Sequence, residues 1–593
     1  MRTLACVLAG LALLLPALAA PAPAPGLETD GNPIACDDSV PIPGGFVVEG
    51  YTMTSRPPLY GFLPDEVVSI PSAVDGAAIQ IGLIRPDVPQ GTLVPVVAMA
   101  TPYAQGLAKV NLRECAARLA YNLVPQGYAV AIVAVRGTAD SGGCMDLMGP
   151  LEGADLDQAV TWLGTRSWSN GNVGMTGLSY EGSTPWEVAA RGNPHLKTIV
   201  PVEGVSDFFD LLYHDGAPEA RALAFTNAFY DEIGAATVQP AGARSLEHVV
   251  GDAACPEWAD GLRASAESFR TGERDHLGFW AARDQRPGVL ANYTGSVFLV
   301  QGLQDWNVDG HENFPWAREL AARNLTVKLL LPQGPHVYPD ELVAYGDDTA
   351  RADWPDLLLA WLDRFLKEDA SLDVGPAVQV QDSGHHWRNE TMWPPADATE
   401  TALALCADGS LATACGAARG RVLLGPDLLH PGGYADQYGL DQFLDGTPDA
   451  CGACASFRGA DLAQETRFAG TPEIDLTLAP TAASGHVAAF LYVEDALGAH
   501  RVGWGQADLR FAAGDGHARA FAPGAPLAMR LRLEPLDVVV PAGSHLRLLV
   551  SQGYSSDHVA SSAPAPVWLE TGGAQGALRL ETFARGASDL FTP

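Results

Sequence analysis

A chain of 593 residues is too long for one ordinary core, since a domain usually holds roughly 100–200 residues. Apolar residues make up 47% and charged residues 18%, which describes a packed globular protein and excludes a disordered one. The formal charge is −34, with Lys109, Lys197, Lys328 and Lys367 as the only lysines; a surface this acidic repels phosphate backbones, which argues against nucleic acid and anionic membrane as partners.

In chain order, the first feature is a secretory signal. Arg2 is followed by the apolar run LACVLAGLALLLPALA, which closes on Ala17-Leu18-Ala19, a small-x-small cleavage pattern. Residues 1–19 are therefore read as a signal peptide, and the mature chain as secreted (extracellular or periplasmic) without stable membrane insertion. No later segment reaches roughly 18 uninterrupted apolar residues. Cys6 lies in the signal, leaving eight of the nine cysteines, an even number suited to disulfides in an oxidising compartment. Cys115 with Cys144, Cys406 with Cys415 and Cys451 with Cys454 are candidate pairs, although spacing does not set connectivity. Cys451 and Cys454 form a single CxxC; a zinc site would need another half, so no metal is assigned.

From about residue 95 to 367 short apolar runs alternate with helical stretches. VPVVAMA (94–100), YAVAIVAV (128–135), VGMTG (173–177), TIVPV (198–202), SVFLVQG (296–302) and VKLLLPQ (327–333) are apolar throughout, as strands buried on both faces should be. DLDQAVTWL (155–163) and WPDLLLAWLDRFL (354–366) carry apolar residues at helical spacing. The alternation predicts a mostly parallel sheet with helices on both faces, an α/β core. AAIQIGLIRP (77–86) is expected to add an antiparallel edge. Residues 205–290 lack strand-like runs and are read as a helical cap over the site, of the kind that excludes water. This divides the α/β core into 20–204 and 291–370. Residues 371–593 carry short alternating strands such as IDLTLAP (474–480), HVAAFLYVED (486–495), AMRLRLEPLDVVV (528–540) and HLRLLVSQ (545–552), the pattern of an all-β sandwich.

The chemistry concentrates at strand ends. VGMTGLSYEGST places a small-residue turn between a strand and a helix over roughly Tyr180 to Arg191. A serine on such a turn, Ser179, exposes its Oγ, and the amide of Tyr180 points where an oxyanion would form. The common G-x-S-x-G spelling puts glycine two residues after the serine; here Glu181 holds that place and Gly182 follows. In this architecture an acid and then a histidine come later in the chain. Asp305 follows SVFLVQG, and His336 follows VKLLLPQ, each at a strand's carboxyl end, where open α/β sheets bind ligands. His214, His311, His385 and His386 fit that order worse. Tyr103 follows VPVVAMA and could lend its phenolic O–H as a second oxyanion donor.

These segments carry a family resemblance. TPYAQG at 101, VRGTADSGG at 135, GLSYEG at 177, GLQDWNV at 302 and QGPH at 333 resemble, in order, the Xaa-Pro dipeptidyl-peptidase and cocaine esterase group of serine hydrolases. FAGTPEIDLTLAP and AGSHLRLLVS resemble that group's C-terminal jelly roll. The resemblance implies an α/β-hydrolase core with a helical cap and a jelly-roll domain. It also implies a triad of Ser179, Asp305 and His336, with Tyr103 and the Tyr180 amide as oxyanion hole, and no cofactor. The DWNV and QGPH spellings look more like the dipeptidyl-peptidases, which would remove N-terminal Xaa-Pro dipeptides. An esterase or an α-amino-acid ester or β-lactam acylase of the same group is the alternative; a non-catalytic secreted binding protein is the remote one. A small peptide or ester is thus the expected partner, and homo-oligomerisation is left open. A dipeptidyl-peptidase needs a counter-charge for the substrate's α-ammonium, and Asp207, Asp210, Asp215 and Glu219 in the cap are the candidates.

Overall fold

The computed structural model describes residues 51–591 except 105, 220–221, 223–254, 306, 312, 342–349, 397, 426–453, 497, 553–564 and 584–589. The expected signal peptide (1–19) and much of the expected cap lie outside the described residues. Among the described residues no helix is long and apolar enough to cross a membrane.

The apolar runs become strands of one 11-stranded sheet. In chain order they are β1 (Glu66–Pro71), β2 (Ala78–Ile84), β3 (Val94–Thr101), β4 (Ala129–Ala134), β5 (Ser169–Leu178), β6 (Leu196–Val202), β7 (Ser296–Val300), β8 (Val327–Leu331), β9 (Val378–Gln381) and β10 (Trp387–Glu390). Their spatial order is β1-β2-β4-β3-β5-β6-β7-β8-β9-β10, with Leu590–Phe591 added beyond β10. From β4 across to β9 neighbours are parallel; β1–β2, β2–β4 and β9–β10 are antiparallel. The edge predicted from AAIQIGLIRP is therefore antiparallel, as β2.

Alternate side chains of one strand enter two separate cores, which is why these strands are apolar without a period of two. Ala129, Ala131 and Val133 of β4 pack with α1 (Pro150–Gly164) and α2 (Tyr180–Arg191). Val130, Ile132 and Ala134 pack instead beneath Trp354, Leu358, Trp361 and Leu362 of a helix over Trp354–Leu366. Each fully buried Val or Ile contributes about 1.5–3 kcal/mol relative to exposure.

The register has a consequence for the site. Leu178 of β5 pairs with Val202 of β6, Val202 with Val300 of β7, and Val300 with Leu330 of β8. Four strands thus end in one row, and the chain after each leaves the sheet on the same side.

The C-terminal region forms an all-β domain around its own core, which includes Ile474, Leu476, Leu491, Leu531, Val538 and Leu548. The sheet boundary differs from the expected division at 370/371: β9, β10 and Leu590–Phe591 extend the α/β sheet. VQVQ at β9 is buried at every position, so it pairs with β8 instead of joining the sandwich. AMRLRLEPLDVVV is also not one strand. It splits into Leu527–Arg532 and Leu536–Val540, interrupted at Leu533-Glu534-Pro535, where proline cannot donate to a ladder.

In the expected cap region the described elements are α3 (Phe208–Leu212), the short hairpin of Tyr213–His214 and Ala217–Pro218, α4 (Pro256–Thr271) and α5 (Arg286–Asn292). The cysteine pairing departs from one candidate. Cys144 bonds to Cys255 and not to Cys115, tying the start of α4 to the loop after β4 across a separation of 111 residues. Cys406 bonds to Cys415 as proposed, while Cys115 and Cys454 are also disulfide-bonded; Cys451 lies outside the described residues. A long closed loop restricts the unfolded chain most, so replacing Cys144 and Cys255 together by serine should cost about 2–5 kcal/mol. The measurement is the Tm of the purified chain against a Cys406→Ser/Cys415→Ser variant, whose short loop should cost less; equal losses would count against the loop-length account.

Candidate active site

The turn between β5 and α2 holds Ser179 at φ 64°, ψ −123°, a conformation that costs a non-glycine residue of order 1–3 kcal/mol. The neighbouring backbone makes the strain sustainable. A Cβ on Gly177 would overlap the Glu181 side chain, one on Gly182 the Val202 carbonyl, and one on Gly204 the Gly182 carbonyl. The helix start is thus pressed against the end of β6, and the Ser179 amide donates to the Val202 carbonyl at 3.0 Å. This explains the spelling: the close approach falls on Gly182, whereas Glu181 sits where a side chain fits. Glu181 is buried, and burial pushes its carboxyl up to about 8 against the opposing Thr101 hydroxyl. Ser179 itself is half-buried, which leaves the nucleophile position reachable.

Tyr180 opens α2, where backbone N–H groups point out of the helix N-terminus. Its ring is buried and anchored from below: the phenol lies 2.9 Å from both Glu152 oxygens and accepts from the Met148 amide at 3.0 Å. Burial raises the Glu152 carboxyl to about 7. Tyr103, half-buried, meets Tyr180 edge-on at 6.4 Å between ring centroids, and its amide donates to Thr101 Oγ1 at 3.1 Å. The structure therefore brings Tyr103 beside the elbow.

Asp305 and His336 meet. His336 Nδ1 lies 2.8 Å from Asp305 Oδ2, and the other oxygen, Oδ1, accepts the amides of Asn307 at 3.0 Å and Val308 at 2.9 Å. The aspartate is held on both sides, which fixes the plane of the imidazole and assigns the proton to Nδ1. A third group was missed in the sequence. Glu203, directly after β6 and fully buried, accepts the Gly302 amide at Oε1 (3.1 Å), and its Oε2 is 3.3 Å from His336 Nδ1. The available signal was a carboxylate immediately following the apolar run TIVPV. Burial, and then the Asp305 charge, hold the Glu203 carboxyl well above its usual range, so it stays protonated beside His336. Burial lowers the His336 imidazole, but Asp305 outweighs it, and with Glu203 lifts it to about 10. Glu203, Asp305 and His336 have donor types that suit a cation; the hydrogen bonds just described already occupy three of the carboxylate oxygens.

The four proposed counter-charges are all engaged. Asp207 is ion-paired with Arg274 and Arg286, Asp210 with Arg286 at 2.9 Å, Asp215 with Arg532 at 3.4 Å, and Glu219 with His214 at 2.9 Å.

Fold and strand-end residues define an α/β-hydrolase with a C-terminal all-β domain. Residues 75–338 match the model of the X-Pro dipeptidyl-peptidase S15 family, and residues 375–565 that of the X-Pro dipeptidyl-peptidase C-terminal non-catalytic domain; the resemblance read from the motifs is borne out. A Streptomyces avermitilis protein provisionally named a Xaa-Pro dipeptidyl-peptidase is 27% identical over 452 residues, 70% of this chain and 61% of its own. The Xaa-Pro dipeptidyl-peptidase of Lactiplantibacillus plantarum is 26% identical over 51% of this chain and 38% of its own. The match thus spans less than two-thirds of the length of each of these relatives. In fold it is similar to an aminopeptidase from a marine sediment Thaumarchaeota archaeon (TM-score 0.69, 18% identity, 92% and 99% of the two chains covered). A CocE/NonD family hydrolase of Staphylococcus aureus is similar too (TM-score 0.65, 18% identity, 88% and 94% covered).

A proton count follows from this geometry. The His336 imidazole should titrate well above the ordinary 6.5, and Asp305→Asn should bring it down by removing the charge that raises it most. Glu203→Gln should lower it by less, because Glu203 is the smaller of the two contributions. Histidine NMR on labelled protein reads all three; an equal drop in both variants would mean that Glu203 is ionised.

Proposed function

We propose that the chain is a secreted serine hydrolase that cleaves an amide or ester through an acyl-enzyme on Ser179. The observation that carries this reading is the strained elbow at Ser179 on the same sheet edge as a hydrogen-bonded His336–Asp305 pair. His336 takes the proton from Ser179 Oγ as that oxygen attacks the carbonyl, and Asp305 holds the tautomer and stabilises the imidazolium. The Tyr180 amide and the Tyr103 phenol receive the oxyanion. The proton then passes from His336 to the leaving group, and water releases the acyl group by the reverse path. His336 acts as a base only when neutral, so the raised imidazole places the acid limb of kcat/KM above the ordinary histidine range, with activity gained as pH rises through it. The Cys144–Cys255 bond supports an oxidising compartment.

Within that class the reading is removal of N-terminal Xaa-Pro dipeptides, supported by the S15 match and by the relatives' names. The engaged state of Asp207, Asp210, Asp215 and Glu219 gives it no support from a ready counter-charge. The fold likeness to an α-amino acid ester hydrolase (TM-score 0.64, 18% identity, 92% and 100% covered) keeps the esterase or acylase reading in view.

Ser179→Ala should abolish turnover and stoichiometric fluorophosphonate labelling, read by mass spectrometry; labelling of another serine at full stoichiometry would sink the assignment. Tyr103→Phe removes only a donor, and turnover should fall about 10²-fold or more with little change in KM; retention of a third of the rate would make Tyr103 a packing residue. Specificity is read by comparing Ala-Pro-p-nitroanilide with its N-acetylated form and with p-nitrophenyl acetate. A dipeptidyl-peptidase cleaves the first and loses most of that rate on acetylation, whereas ester cleavage without anilide cleavage selects the alternative.

A further inference from the structure

A second buried cluster lies outside the triad, where three parts of the chain meet. His214 and Glu219 come from the short hairpin after α3, Asp309 and His311 from the loop that follows Asp305, and Glu534 from the break that splits AMRLRLEPLDVVV. His214, Asp309 and Glu534 are buried, with side-chain exposures of 7%, 0% and 6%, and His311 is 27% exposed. His214 Nε2 is 3.2 Å from Asp309 Oδ2, His214 Nδ1 is 3.8 Å from Glu534 Oε1, and His311 Nδ1 is 3.1 Å from the same oxygen. One ligand atom from each of the four can be chosen so that all lie within 4.8 Å of one another. Ligand atoms on a tetrahedral ion with bonds of about 2.0–2.2 Å stand roughly 3.3–3.5 Å apart, so the cluster needs only a small contraction to close on one.

The polar atoms themselves point to a missing centre. Both Asp309 oxygens are buried and make no hydrogen bond, and neither does His311 Nδ1 despite its approach to Glu534. The donor beside Asp309, His214 Nε2, is shared with Glu219, so the lost hydration of this buried carboxyl is poorly replaced. Glu219 lies 2.9 Å from His214 Nε2, which leaves Nδ1, 3.8 Å from Glu534 Oε1, as the ring nitrogen for an ion, and an outer carboxylate of this kind orients a ligating imidazole.

We propose that His214, Asp309, His311 and Glu534 bind one divalent transition-metal ion, with zinc as the occupant. Two imidazoles with two carboxylates suit zinc, whereas calcium and magnesium favour oxygen-only shells. The ion clamps the hairpin, the loop carrying Asp305 and the sandwich together; its place is structural, because its ligands are not the triad residues. This departs from the sequence reading, which assigned no metal because it looked for cysteines.

The test uses the full chain, stripped by a chelator, dialysed and titrated with zinc chloride in a calorimeter, with calcium chloride as control. The expected result is one zinc per chain with Kd below about 1 µM, no calcium binding, and a zinc-dependent rise in Tm. Asp309→Asn/His311→Gln should weaken zinc binding by more than the roughly 10–100-fold that outer-shell changes cost and abolish the rise in Tm. Failure of stripped wild-type protein to bind zinc stoichiometrically overturns the proposal whether or not the variant folds. Undiminished binding by a folded variant overturns it equally; the cluster is then an ion-pair network of protonated imidazoles.

Discussion

The site depends on one backbone contact, the packing of the first turn of α2 against the end of β6. Gly182 touches the Val202 carbonyl, Gly204 touches the Gly182 carbonyl, and neither position has room for a Cβ. That approach holds Ser179 in a conformation it would not choose, since no local hydrogen bond from its own side chain caps the helix. The strain is local and the support is not. It comes from β6, which is itself fixed by its pairing with β5 and β7. The elbow is therefore a property of the sheet.

The same register explains why a carboxylate cluster forms there. Leu178, Val202, Val300 and Leu330 form one row at the carboxyl ends of four adjacent strands, so Ser179 and Glu203 leave the sheet as neighbours and the loops bearing Asp305 and His336 follow at their side. Crowding two buried carboxyls around one imidazole disfavours ionisation of both. Asp305 has two backbone amides on Oδ1 and the imidazole on Oδ2. Glu203, with one amide and an Oε2 that makes no hydrogen bond, gives up its charge.

The cap region is tied to this arrangement through the loop after β4. Cys255 bonds to Cys144, the Trp258 indole donates to the Met145 carbonyl, and Arg283 donates to the carbonyls of Asp146 and Leu147. The next residue, Met148, donates to the Tyr180 phenol. A continuous set of contacts thus runs from α4 and the segment before α5 to the first residue of α2, whose amide faces the oxyanion position in the proposed mechanism. Arg274 and Arg286 are drawn inward by Asp207 and Asp210, which is why those aspartates are spent on holding the cap region.

The sequence by itself determined the α/β core, because strands buried on both faces carry apolar runs without a period of two, as β3 to β8 do. It located Ser179, Asp305 and His336, because each follows such a strand, and it picked out the all-β C-terminal domain from period-two patterning. It did not place Glu203 in the site: one carboxylate after TIVPV has no local signal distinguishing it from a solvated turn, and its role exists only through His336, 133 residues away. The Cys144–Cys255 bond, the transfer of β9 and β10 to the α/β sheet, and the meeting of His214, Asp309, His311 and Glu534 are likewise long-range. Local pattern records which face of an element is apolar; which distant polar groups share a buried volume is decided only when the elements pack, because burial and proximity are properties of the assembled chain.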